Sequence, residues 1–128
     1  ARMRRGALHD ATLELGFNKI ALGHHKDDVV ETFLMNLFSE GRIGCFSPVT
    51  YLSRKDIHMI RPLIYTPESE ITSAVSRLGL PVVKSVCPAD GNTLRQEVKD
   101  KLAIMEKEKP GVCEKVFGAL KRSGIDGW

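Results

Sequence analysis

Apolar and polar positions along the 128-residue chain keep two periods in alternation. From Arg2 to Leu15, the residues Met3, Ala7, Leu8, Ala11 and Leu15 follow helical spacing, and Gly16 supplies a stop that tolerates a left-handed backbone. Residues 18–22, NKIAL, form a short apolar run ended by Gly23, which reads as a buried parallel strand. Residues 26–39 return to the helical period, with Val29, Val30, Phe33, Leu34, Leu37 and Phe38 on a broad apolar stripe.

Residues 40–55 hold Gly41, Gly44 and Pro48 and read as loop, with a short strand at Val49–Leu52. Residues 57–61 read as another strand, ended by Pro62. Thr66-Pro67-Glu68 predicts a helix entry, with Thr66 as cap and Pro67 at the first helical position. Ile71, Val75 and Leu78 would give that helix its inner face, and Gly79 would end it. Pro81–Val83 predicts a last short strand. From Thr93 to about Lys107 a helix carries Leu94, Val98, Leu102 and Met105 on one face. Pro110 breaks it, and Val112, Val116, Phe117 and Leu120 line a final helix. Strands alternating with helices predict an α/β fold, part of a doubly wound, largely parallel sheet, followed by C-terminal helices. The chain reads as one domain, with sheet and helices over 1–83 and a cysteine loop with C-terminal helices over 84–128.

Composition changes this picture little. The chain is 42% hydrophobic and 27% charged, a balance suited to a soluble globular domain. No apolar run approaches the roughly 20 residues that a membrane span needs, and the start, ARMRRGALHD, has no apolar core of a signal peptide. The first residue is Ala1 and helical pattern begins at once, as expected of a piece of a longer protein or of a processed chain. Net charge is only +3, yet Arg2, Arg4 and Arg5 crowd the first five residues, and Lys84, Arg95, Lys99 and Lys101 surround the later loop and helix start. Such patches suit phosphate-rich partners, although a solvated surface has the same composition. Cys45, Cys87 and Cys113 are odd in number and widely spaced, which is no disulfide framework and fits a reducing cytoplasm.

The most chemically loaded stretch is GHHKDD, residues 23–28. It follows a strand and opens a helix, so it falls at the carboxyl edge of the sheet, where open α/β folds bind ligands. Gly23 permits a close turn, His24 and His25 can donate hydrogen bonds or bind metal, and Asp27 with Asp28 can hold a hard cation such as magnesium. The competing reading is structural: both aspartates favour the positive end of the helix dipole, and the histidines satisfy the turn. Zinc fits poorly, because adjacent histidines diverge and no HExxH spacing occurs.

These residues carry a family resemblance. RRGALHDATLELGFNKIALGHHKDDVVETFLMNLF, IRPLIY at 60–65 and CPADGNTLRQEVK together resemble the second half of the PP-loop ATP-dependent tRNA thiolation enzymes, nearest the tRNA 2-thiocytidine synthetase family and more distantly tRNA lysidine synthetase. The resemblance implies an adenine nucleotide alpha hydrolase-like fold and a reaction in which ATP, held with magnesium, activates C2 of a tRNA cytidine before sulfur replaces the adenylate oxygen. It implies a four-iron four-sulfur cluster on three cysteines, with Cys87 at the distant position and a CxxC pair expected before Ala1. A second cysteine pair occurs near Cys87 in some members; here the matching positions are Lys84 and Cys87, which would leave one iron open to sulfur.

On this resemblance Asp27, Asp28 and His25 are the expected catalytic residues, with Asp28 on magnesium. Gly23, His24 and His25 are expected at the nucleotide, with His24 the more structural of the two histidines. Arg2, Arg4, Arg5, Arg61, Lys84, Arg95 and Lys99 are expected to approach tRNA. A plain surface salt bridge is the bland reading of Arg61. Cys45 and Cys113 are expected to be structural. Expected partners are tRNA and a sulfur donor protein or sulfide, with a possible homodimer, no membrane and a cytoplasmic location. The phosphate-binding motif SGGxDS does not occur in these 128 residues, so the chain alone is expected to bind ATP weakly and to be inactive. The alternatives left open are another PP-loop tRNA ligase of lysidine type, which needs no cluster, and a nucleic-acid-binding module without catalysis.

Overall fold

The computed structural model describes residues 2–84 and 93–128; Cys87 and the rest of 85–92 lie outside the described residues, as does the side chain of Arg2. The elements run α1 (Arg2–Glu14), β1 (Lys19–Ala21), α2 (Lys26–Ser39), β2 (Val49–Leu52), β3 (Ile57–Ile60), α3 (Glu68–Leu78), α4 (Leu94–Glu108), α5 (Val112–Ser123) and a final 3-10 turn, Ile125–Gly127. The α/β architecture is the expected one, but the described sheet is mixed. Its order is β1-β3-β2. β1 runs parallel to β3, with Ile20 opposite Met59, and β2 runs antiparallel to β3, with Thr50 opposite Met59. The short connection at 53–56 explains this: a tight turn joins only antiparallel neighbours, whereas β1 reaches β3 through α2. Asp56 takes a left-handed backbone (φ 49°) in that turn.

The apolar residues gather in two places. Ile20, Ile57 and Met59 fill a small cluster on the sheet, flanked by Leu22 and Leu52. The larger core lies among α2, α4 and α5, where Val29, Val30, Leu34, Val98, Leu102, Phe117 and Leu120 pack with Cys45 and Ile64. Trp128 closes it from the C-terminal turn, its indole N–H donating to Phe46 O at 3.0 Å and its ring edge-on to Phe117.

Five expectations need correction. The stripe read on α1 faces out: Met3, Leu8 and Leu15 are exposed, and the buried face carries His9 and Thr12. Thr12 reaches its place by returning its hydroxyl to Leu8 O at 2.7 Å. Helix α3 fully buries no residue: of the expected inner face, Ile71 and Val75 are half-buried and Leu78 is exposed. Its N-cap is Pro67, whose side chain has no acceptor, and Thr66 caps nothing. Pro81–Val83 is not a strand; Val82 and Val83 are exposed. Phe38, Leu94 and Met105 also face out.

The two apolar sets therefore differ in what truncation costs. Leu102→Ala is expected to destabilise the chain by about 2–5 kcal/mol, the range for buried leucine truncations. Leu78→Ala, on the exposed face of α3, is expected to stay within about 0.5 kcal/mol. Urea unfolding of the two variants checks the contrast.

Candidate functional site

The parallel register places the carboxyl ends of β1 and β3 side by side, and Leu22 N continues the ladder to Ile60 O at 2.9 Å. GHHKDD leaves one end and Arg61 leaves the other. His25 is the N-cap of α2, with extended backbone, and the first turn closes as a reciprocal capping box. Asp28 N donates to His25 Nδ1 at 3.3 Å, and His25 N donates to Asp28 Oδ2 at 3.0 Å. A histidine thus does what serine or threonine usually does at this position.

The next contacts reach far along the chain. Lys26 N donates to Thr66 O at 3.0 Å. Asp27 Oδ1 accepts from Glu68 N at 2.8 Å, which supplies from another helix the cap that Pro67 cannot give α3. Lys26 Nζ meets Glu114 of α5 at 2.6 Å and lies 5.2 Å from the centre of the Phe117 ring. Arg95 of α4 donates to Asp28 Oδ1 at 3.2 Å, Glu31 Oε2 at 3.3 Å and Thr32 Oγ1 at 2.9 Å. Lys99 pairs with Glu68 at 2.9 Å. Arg95 and Lys99, expected at tRNA, here hold the start of α4 against α2 and α3. A small polar pocket of about 200 Å³ lies among His25, Asp28, Glu31, Arg95 and Lys99, next to Thr93.

Glu31 was not singled out by sequence. It is buried, and burial is the largest cause that raises its pKa above 4.5, opposed by Lys99 and Arg95. Its spacing three residues after Asp28 on the same helix was the available signal.

Arg61 is buried, not a surface salt bridge. Its Nη1 donates to Ser47 O at 2.7 Å and Thr50 Oγ1 at 3.0 Å, and its Nε donates to His24 Nδ1 at 3.3 Å. Its guanidinium carbon sits 4.9 Å from the centre of the Phe46 ring, on which His24 also packs at 4.7 Å. Burial, then the Arg61 charge, lowers the His24 pKa below 6.5. Arg4, Arg5, His24 and Arg61 line one cleft of about 610 Å³. Gly23 is exposed and does not take a positive φ, and a Cβ there would meet nothing within 4 Å. Lys84 is exposed.

Among the described residues no group of three His, Cys, Asp or Glu side chains could hold a metal ion. Both Asp28 oxygens are engaged, by Arg95 and by His25. Asp27 is engaged through Oδ1, which accepts from Glu68 N. Cys45 is buried with its thiol toward Val29 O at 3.5 Å, and burial pushes its pKa to about 11. Burial, then Glu106, pushes Cys113 to about 11 as well. Neither is poised as a thiolate.

The PP-loop domain family matches residues 1–104. The chain belongs to the PP-loop family. Within it the chain is 39% identical, over 121 residues, to a tRNA-cytidine(32) 2-sulfurtransferase of Methylobacillus flagellatus, covering 94% of this chain and 40% of that protein. It is 38% identical to a protein of the same name from Teredinibacter turnerae, covering 95% of this chain and 41% of the other. The chain thus spans about 40% of the length of these relatives. Among solved structures it is similar to the U34-tRNA thiolase NcsA from Methanococcus maripaludis with its [4Fe-4S] cluster, at 29% identity and a TM-score of 0.74, covering 94% of this chain and 41% of that one.

Glu31 gives this PP-loop chain a signed pH dependence. Its pKa is raised in the folded state, so its contribution is fully present below the unfolded value and is lost as pH rises through the folded one. In urea unfolding, the stability of the wild type relative to Glu31→Gln is expected to fall as pH rises from about 4 upward, with 4.5 as the ordinary carboxylate reference. A difference that stays flat or grows contradicts the burial of this carboxylate.

Proposed function

We propose that the chain is the C-terminal half of the catalytic domain of an ATP-dependent tRNA 2-thiolation enzyme acting on a cytidine. The observation that carries this reading is the likeness to two tRNA-cytidine(32) 2-sulfurtransferases across 94–95% of the chain. The similarity to a tRNA thiolase with a [4Fe-4S] cluster supports it.

In this reading the first turn of α2 faces the nucleotide. Asp27 offers the carboxylate oxygen for magnesium, while Asp28 and His25 act by fixing that turn. His24, held by Arg61 and the Phe46 ring, would stand beside the nucleotide in a mainly structural role. Magnesium, when bound, would neutralise phosphate charge as the nucleotide activates the base. Cys87 would be a ligand of the iron–sulfur cluster, at the position where the family resemblance puts the distant cysteine, with two further ligands expected from a CxxC pair. The cluster would supply the sulfur-handling chemistry. tRNA would approach over Arg2, Arg4, Arg5 and Lys84, with affinity that falls steeply with salt. Sulfur would arrive from a donor protein or as sulfide, and the enzyme would work in the cytoplasm, with a homodimer as the proposed assembly.

The test uses the intact protein with its cluster assembled anaerobically. Cys87→Ser is expected to lose both the cluster absorbance and tRNA thiolation, whereas Cys45→Ser and Cys113→Ser keep the absorbance. A Cys87→Ser protein that retains a full cluster and thiolates tRNA would sink the assignment.

A further inference from the structure

Loops usually run over the surface, because buried backbone polar groups must find partners. Residues 41–47, between α2 and β2, belong to no helix or strand, yet Gly44, Cys45 and Ser47 are buried. Four consecutive residues of this loop are each held by a side chain from another element. Gly44 O accepts from Asn36 Nδ2 of α2 at 2.8 Å, and Ser47 O accepts from Arg61 Nη1 at 2.7 Å. The two in between are held by the C-terminal turn. Cys45 N donates to Asp126 Oδ2 at 2.9 Å, and Phe46 O accepts from Trp128 Nε1 at 3.0 Å.

The turn is shaped for these contacts. Gly124, Asp126 and Gly127 take left-handed backbone, at φ 70°, 53° and 86°. That conformation is uncommon for a residue with a side chain and persists where the surroundings over-determine it. The bond from Cys45 N to the Asp126 carboxylate is of the stronger, charge-assisted kind. Gly44 leaves room for it: a Cβ at Gly44 would stand 2.8 Å from Asp126 Oδ2. Trp128 is anchored in turn by its edge-on contact with Phe117 of α5, with ring centres 5.6 Å apart.

The loop carries the ring on which one side of the sheet edge rests. The Phe46 ring centre lies 4.7 Å from that of His24 and 4.9 Å from the Arg61 guanidinium carbon. His24 and Arg61 meet each other at 3.3 Å, Nε donating to Nδ1. His24 directly precedes His25, the cap that opens α2.

We propose that Asp126 and Trp128 are positioning residues for the sheet edge. Through the backbone of Cys45 and Phe46 they fix the Phe46 ring, and the ring fixes how His24 and Arg61 face each other. They act across 81 and 82 residues of chain. The positioning rests on these contacts; its consequence for turnover rests on the thiolation reading.

The test is NMR of the intact protein with isotope-labelled histidine and arginine, without substrate. In the wild type His24 is expected as the Nε2–H tautomer, because its Nδ1 accepts from Arg61. Asp126→Gly removes the acceptor and keeps the left-handed backbone. Trp128→Phe removes the donor and keeps a ring against Phe117. Each is expected to mix the His24 tautomers and to speed exchange of the Arg61 Nε–H about tenfold, as for a lost hydrogen bond. Gly44→Ala, which crowds the Asp126 carboxylate, should do the same. Asp126→Asn, which keeps an acceptor oxygen, should stay near the wild type. Leu102→Ala, in the core away from the turn, lowers stability and is expected to leave the His24 tautomer as in the wild type. In tRNA thiolation by the cluster-loaded proteins, Asp126→Gly is expected to raise the KM for ATP while the cluster absorbance is kept. A His24 tautomer unchanged in both Asp126→Gly and Trp128→Phe, or mixed as far by Leu102→Ala, would overturn the proposal. Tautomers that mix while thiolation keeps its wild-type KM would uphold the positioning and count against the place of His24 beside the nucleotide.

Discussion

The first turn of α2 is the knot on which the helical half of the molecule depends. Within four residues it caps its own helix through His25 and Asp28, caps α3 through Asp27, and meets α4 through Arg95 and α5 through Lys26. Each contact taken alone is modest, because a cap is worth about 0.5–2 kcal/mol and an exposed ion pair less. Their convergence matters more. Helix α3 fully buries none of its residues and starts at a proline, so Asp27 fastens its first turn. Helix α4 opens at its own Thr93 cap, and Arg95 in its first turn ties that opening to α2.

The sheet edge thus has two chemically different sides. On one, carboxylates and cations neutralise each other in a network around Asp28, Glu31 and Arg95. On the other, Arg61 makes no ion pair among the described residues and bonds to neutral groups. His24 and His25, adjacent in sequence, divide between them: His25 turns into the cap, and His24 turns to Arg61 and Phe46. The C-terminal residues support the second side from below, since Asp126 accepts from Cys45 N at 2.9 Å and Trp128 holds Phe46 O.

Much of the local structure was legible in the sequence because it depends on neighbours. The helix opening at Lys26, the strand at 57–60 and the glycine stop of α3 at Gly79 follow from spacing and backbone preference alone. What was illegible depends on partners far along the chain. That Arg95 answers Asp28 across 67 residues, or that Asp27 caps Glu68 across 41, leaves no local trace. The stripe on α1 was real as a pattern but says nothing of which face packs, and short, polar His9 and Thr12 took the inside. The burial of Arg61 was illegible because arginine is so seldom buried; its only signal was a position at a strand end before Pro62. The antiparallel β2 was legible as a strand but not in its direction, which the turn at 53–56 decides.

The knot at α2 is tested most directly by native-state hydrogen exchange on Asp28→Ala. Removing this carboxylate should speed amide exchange in the first turn of α2 by about 3- to 30-fold, the equivalent of a lost cap. Exchange should also speed at the start of α4, where Arg95 loses its partner. Acceleration confined to α2, with the start of α4 exchanging as in the wild type, would contradict a shared knot and leave Asp28 an ordinary helix cap.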